Sequence, residues 1–170
     1  MNHSRKPVTG LVVIGLFIQA DQILLVQQQG RRDALPYWVA PGGLVEPGEG
    51  IAAALRREMR EETGLHVTEI GPLAYTTQLD HLERDSRTLA FAFPISRWEG
   101  EPAHDDPDDE ILAVRWIPRP EAMQLLQPIG WRGMRDPLLA YLRGNSLPGT
   151  FWHFQEHNGE QRLVGPKDDR

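Results

Sequence analysis

The chain opens on two apolar runs with a polar break between them. Residues 11–18 (LVVIGLFI) and 22–29 (QILLVQQQ) are rich in Val, Ile and Leu, and Gln19–Gln22 reads as the turn joining them as paired strands. Residues 30–38 form a loop, and VAPGG (39–43) is a short extended piece entering a tight turn. From Gly50 to Thr63 the pattern becomes helical: Ala52, Leu55 and Met59 fall on one side, and Gly64 follows as a C-terminal cap. Residues 66–70 suit a brief strand.

Leu73–Asp80 alternates and Thr88–Ser96 is aromatic and apolar, so the polar residues between them predict a hairpin with a long tip. A strand over Ile111–Ile117 is followed by a helix that Pro120 opens and that runs to about Gln127. A last short helix is predicted with Asp136 as its cap and Pro137 in its first turn. In the tail, Asn158–Gly159 between two strand-like runs signals a hairpin. The order ββ–α–βββ–α–α–ββ predicts an α+β domain, a mixed sheet with helices on both faces. Its expected extent is 1–144, with 145–170 as an extension packed on the domain or on a partner subunit.

Composition narrows the function classes. A formal net charge of −6 over 170 residues argues against a stable nucleic-acid partner. The absence of cysteine excludes disulfides, thiolate catalysis and cysteine-bound metals. Arg5 and Lys6 precede an apolar run as in a signal peptide. That run is short, and its IQA end is a poor cleavage site, so a strand is the better reading. No run reaches the length of a membrane span, and a cytoplasmic location is expected.

The helix carries the chemistry. With Glu58 at zero and 100° per residue, Glu62 lies at about 40°, Glu61 at about −60° and Leu55 at about 60°. The carboxylates thus form one arc at the edge of the apolar stripe. Arg57 is four residues from Glu61 and can pair with it, which leaves Glu58 and Glu62 as an unpaired acidic couple. Taken alone, such an arc is a solvated acidic face. Glu49 just before the helix and the side-chain-free Gly42–Gly43 add oxygen donors at the same point, a set suited to Mg²⁺ or Mn²⁺.

Gly43, Glu49, Arg57, Glu58, Met59, Glu61, Glu62, Gly64 and Leu65 match the Nudix box, G-x5-E-x7-R-E-U-x-E-E-x-G-U with U apolar, at every position. Seven of these nine are fixed residue types. At ordinary usage, a chance match at a given start is below about one in ten million. The sequence therefore resembles the Nudix hydrolases. The resemblance implies a Nudix-type α/β/α sandwich with a mixed β-sheet. It also implies hydrolysis of a pyrophosphate bond in a nucleoside diphosphate linked to another group, with Mg²⁺ (or Mn²⁺) as cofactor. Glu58 and Glu62 would be the main metal ligands and Glu61 a further ligand or the base that positions water. Glu49 and the Gly43 carbonyl would complete the metal's surroundings, and Arg57 would orient the glutamates.

Members of that family often recruit one more acid from a loop. Asp105, Asp106, Asp108, Asp109 and Glu110 are candidates here, with Glu110 best placed because a strand follows it. Arg31 and Arg32 are candidates for substrate phosphates, and Tyr37 and Trp38 for stacking on a base; solvent exposure and core packing are the plain alternatives. His81 reads as a loop residue, and Trp152, His153 and Phe154 as packing residues. The exposed edge of the tail hairpin suits pairing in a homodimer.

The substrate is expected to be a small nucleotide. Residues 80–82 carry neither the proline nor the tyrosine that resembles particular subgroups. YWVAPGG resembles MutT-like enzymes, which points to a nucleoside triphosphate, oxidised ones included, cleaved to monophosphate and pyrophosphate. Nucleotide sugars, ADP-ribose and dinucleotides are the alternative substrates. A non-catalytic nucleotide-binding module is the competing class, although such modules typically lose box glutamates and all four are present here.

Overall fold

A computed structural model of the chain describes residues 7–29, 35–103 and 110–164. The first strand, β1 (Val8–Gln19), is buried on both faces. Val13 and Phe17 point to one side, where they meet Leu55 and Met59 of helix α1 (Ile51–Thr63). Ile14, Leu16 and Ile18 point to the other, toward α2 (Arg119–Leu126) and α3 (Arg132–Leu142). The period-two alternation of the strand thus feeds two apolar clusters, one under each helix layer. This is the α/β/α arrangement, with a curled mixed sheet at its centre.

Strand β2 (Gln22–Gln28) turns back on β1, yet the two pair only at Ile18–Ile23 and Gln19–Gln22. Beyond that corner each strand finds other partners. β2 lies between β3 (Tyr37–Val39) and β8 (Ile111–Pro118), antiparallel to both. β1 lies between β4 (Gly42–Leu44) and a parallel β7 (Ser86–Glu99). β7 also pairs with β5 (His66–Ile70) and β6 (Tyr75–His81), and β6 with β9 (Thr150–His157), which runs parallel to it. β10 (Glu160–Leu163) closes the edge through the Asn158–Gly159 turn, where both residues have positive φ.

Helix α1 ends as its sequence predicts. Gly64 sits at φ 72°, and its N–H closes the last turn on Arg60 O. Its buried alanine is Ala54; Ala52, in the first turn, is exposed. The β6–β7 hairpin is tighter than expected, because the ladder continues to His81–Ser86 and leaves a four-residue tip, 82–85. His81 is therefore a strand residue.

The last helix departs most from expectation. α3 begins at Arg132, and Asp136 and Pro137 lie inside it. Asp136 accepts hydrogen bonds from Arg132 Nε (2.9 Å) and Arg135 Nε (2.8 Å) instead of capping. The first-turn N–H of Gly133 is satisfied by Gln161 Oε1 of β10 at 2.9 Å, a cap supplied from 28 residues away. Pro137 removes one donor from the helix, typically at a cost of ~3 kcal/mol. Burial of Leu138, Leu139 and Leu142 opposes that cost.

On the α1 side of the outer sheet, Asp80 is only 5% exposed. It accepts from Arg87 Nε (2.7 Å) and Gln78 Nε2 (3.1 Å) and lies 2.9 Å from His153 Nε2. Burial pushes its carboxyl up, but the bonds from Arg87, His153 and Gln78 outweigh burial and hold it below the ordinary 3.8. A carboxylate with a depressed folded pKa contributes stability above its unfolded pKa and loses it as pH falls through the folded one. Asp80→Asn is therefore expected to cost about 1–3 kcal/mol at neutral pH. In thermal melts, the Tm gap to the parent should begin to narrow as the pH drops below about 4 and close only once it falls below the lowered folded pKa; a gap that stays constant through the acid range would contradict this.

Candidate active site

The centre of the site is a guanidinium. Arg57 Nε donates to Glu49 Oε1 (3.0 Å) and Nη2 to Glu49 Oε2 (2.9 Å), a two-pronged pairing. Its Nη1 donates to Glu58 Oε1 at 2.7 Å and to Glu61 Oε2 at 3.2 Å. Nη2 also reaches the Leu44 carbonyl at 2.9 Å. One arginine thus gathers three carboxylates and fastens the helix to β4, where Gly42 and Gly43 are paired strand residues instead of the tight turn expected from the sequence. Glu49 can fold back because its N–H bonds to Glu46 O while its carboxylate accepts the Glu46 N–H at 3.1 Å.

The fourth carboxylate is held differently. Glu62 is 9% exposed, and its Oε2 accepts the Gly42 N–H at 2.8 Å. Glu58 and Glu62 are therefore not the unpaired couple that helix geometry alone suggests: one is bound to Arg57 and the other to Gly42 of β4. The strand is shaped for this contact. Gly43 stands opposite Val13 in the β1–β4 ladder, and a Cβ on it would lie 2.4 Å from the Glu58 carboxyl carbon. A Cβ on Gly42 would lie 2.2 Å from the Val13 carbonyl oxygen. Both positions are glycine because of close approach, one to a side chain and one to backbone.

Charge follows from this geometry. The hydrogen bonds from Arg57 lower the Glu49 pKa, and the bond to Glu49 chiefly raises that of Arg57. Burial pushes Glu58 up against the pull of Arg57. Among the described residues, no three acidic or imidazole side chains are drawn together closely enough to grip a metal, and Arg57 engages three of the four box carboxylates. The donor set still fits a hard divalent cation: every ligand is oxygen, and one helix carries three of the four carboxylates.

Beside β4, a small pocket lined by Gly42, Ile14, Tyr75 and Met134 opens on the α3 side of the sheet. Its walls Val12, Ile14 and Met134 are shared with a larger cleft of about 460 Å³ that reaches His81, Glu156 and Gln161. A separate cavity of about 630 Å³ is lined by Tyr37 and Trp38 with Pro128 and Trp131. Tyr37 packs edge-on against Trp131 (5.9 Å), and the Arg115 guanidinium lies over Trp38 at 5.9 Å. Both predicted aromatics thus pack in the core and also line a cavity.

Glu110 stands just before β8, where its carbonyl accepts the Gln29 N–H at 2.9 Å. Arg31, Arg32, Asp105, Asp106, Asp108 and Asp109 lie outside the described residues. Phe154 is fully buried and Trp152 stacks near it (6.4 Å, 10°), as packing residues should. Sequence reasoning missed Trp131, which is 48% exposed, together with Glu156 and Gln161. The Asn–Gly turn held a signal for the latter two: a two-residue hairpin loop pairs Glu156 directly with Gln161.

The two glycines should fail in different ways. Gly43→Ala is expected to displace the Glu58 carboxylate and weaken divalent-cation binding at least tenfold by calorimetry, with little change in Tm. Gly42→Ala should strain the β1–β4 ladder and lower Tm, by about 1–3 kcal/mol of overpacking. Identical behaviour of the two variants would contradict the assignment.

The NUDIX domain profile matches residues 8–141. The human 8-oxo-dGDP phosphatase NUDT18 is 34% identical over 117 residues, covering 68% of this chain and 34% of that protein. The match thus spans about a third of that relative's length. A putative 8-oxo-dGTP diphosphatase 2 of Mycobacterium tuberculosis is 30% identical over 116 residues, covering 64% of this chain and 80% of that one. Among solved structures, the MutT protein from Bacillus halodurans superposes with a TM-score of 0.67 at 25% identity, covering 92% of this chain and 95% of that one. With a complete box, the sandwich that presents it and a profile match across most of its length, the chain belongs to the NUDIX family.

Proposed function

We propose that this chain is a divalent-cation-dependent hydrolase that cleaves the phosphoanhydride of a nucleoside di- or triphosphate bearing an oxidised guanine, releasing the nucleoside monophosphate. The observation that carries this reading is the gathering of Glu49, Glu58 and Glu61 on Arg57, with Glu62 tied to Gly42 beside a cleft. The choice of base draws support from the names of the human and mycobacterial relatives, both of which specify an 8-oxo-guanine nucleotide.

Glu58, Glu62, Glu61, Glu49 and the Gly43 carbonyl would hold Mg²⁺, with Mn²⁺ as the alternative. When bound, the ion offsets phosphate charge and acidifies water. Arg57 would keep Glu49 in its two-pronged pairing and orient the glutamates, while its bonds to Glu58 and Glu61 give way to the cation. Glu61 is the most open of the three carboxylates around Arg57 and suits the role of base. In the reaction the water oxygen bonds to phosphorus, the bridging oxygen leaves with the departing phosphate, and a Glu61 carboxylate oxygen takes the proton.

Glu62→Gln tests the core of the reading. The amide oxygen can still accept the Gly42 N–H, so Tm should stay within a few degrees of the parent. The missing charge should cut kcat at least ~100-fold with saturating Mg²⁺ and an 8-oxo-guanine nucleotide. Full turnover by that variant would refute the assignment. Glu110→Ala separates the two candidate bases: near-parental kcat keeps the role with Glu61, and a loss of similar size moves it to Glu110.

A further inference from the structure

We propose that the C-terminal hairpin reads the base, with the Glu156 carboxylate accepting an N–H donor from the edge of a guanine-type ring seated in the cleft under α3. This rests on the nucleotide reading above and adds the residue that selects the base. The cleft of about 460 Å³ has an apolar floor that includes Val12 and Leu79, a wall of Trp131 and Met134, and a polar end at Glu156 and Gln161. An apolar slot with a few convergent polar groups is the ordinary design of a heterocycle site. It shares Val12, Ile14 and Met134 with the pocket at Gly42, whose N–H bonds to Glu62 of the box, so a ring in the slot lies beside the segment that carries the box.

The polar end is built and held. Arg84 Nη2 donates to Glu156 Oε1 at 3.2 Å, and His81 Nδ1 lies 3.2 Å from the same oxygen. Gln161 Nε2 donates to Glu156 Oε2 at 3.2 Å, while Gln161 Oε1 is fixed by the Gly133 N–H. Burial raises the Glu156 pKa, but the bonds from Gln161, His81 and Arg84 outweigh burial and keep it lowered. An ionised carboxylate accepts only, at roughly four lone-pair sites, and three neighbours leave capacity for a ligand donor. Guanine can present its N1–H to that site, whereas adenine seated the same way sets its N1 lone pair against the carboxylate and must shift to offer its one amino group. A site built around a hydrogen bond disfavours the analogue that cannot make it in place. Glu156 and Gln161 both fall outside residues 8–141, so this selection would come from beyond the part that matches the family profile.

The test compares GMP and AMP binding by calorimetry, alongside turnover of the corresponding triphosphates, in the parent and in Glu156→Gln. The parent should prefer GMP at least tenfold, and the variant should lose at least tenfold of that preference in both binding and kcat/KM. Equal affinity of the parent for GMP and AMP, or a preference unmoved by the variant, overturns the proposal. If the GMP preference collapses in the variant while the parent hydrolyses no nucleotide, the cleft assignment stands and the hydrolase reading falls. If hydrolysis is intact and the preference is unmoved, the reverse holds. Leu79→Phe, which narrows the floor without touching the polar end, should weaken GMP binding at least tenfold; retained affinity in a folded Leu79→Phe protein also overturns the proposal.

Discussion

The Arg57 guanidinium is the contact on which the site depends. Three carboxylates within hydrogen-bond reach of one another's partners would repel strongly in a half-buried setting. A single planar cation with five donors meets Glu49, Glu58, Glu61 and the Leu44 carbonyl together. A lysine in its place would bring a point charge without the fork, and could not pair with Glu49 through two nitrogens while also reaching Glu58. Arg57 thus joins the helix, the loop before it and the glycine-bearing strand β4 into one unit. The same residue engages three of the four box carboxylates, so cation binding on this account exchanges arginine bonds for metal bonds at Glu58 and Glu61.

The sheet turns that unit into a site. β1 is buried on both faces, with the box helix packed on one and the cleft opening on the other. Strand β4 pairs with β1 and links the two sides: Gly42 donates to Glu62 of α1 and also lines the pocket facing α3. Acidic chemistry and apolar recognition therefore meet at one backbone segment. The tail hairpin lengthens the cleft through β6–β9 pairing and is latched to α3 by Gln161.

Much of this was legible in the sequence because it is local. The box, the Gly64 cap and the Asn–Gly hairpin each follow from spacing and backbone preference within a few residues. What escaped the sequence is non-local. The partner of Glu62 depends on how a strand 20 residues upstream docks against the helix. Asp136 looked like a cap because Pro137 follows it, but the cap is Gln161, and its side chain arrives only once β10 has folded. His81 looked like a loop residue because its polar neighbours hid a ladder that continues to Ser86. The base-reading end of the cleft is drawn from β6 and from both strands of the tail, a grouping that no single stretch of sequence displays.

The most direct test of the central claim is a Mn²⁺ titration followed by electron paramagnetic resonance, with free Mn²⁺ counted in the presence of the parent, Glu58→Gln and Glu62→Gln proteins. The account predicts stoichiometric binding by the parent and at least a tenfold weakening in each variant, with all three folded by circular dichroism. Mn²⁺ that stays free in the presence of the parent, or that binds all three proteins equally, would contradict it.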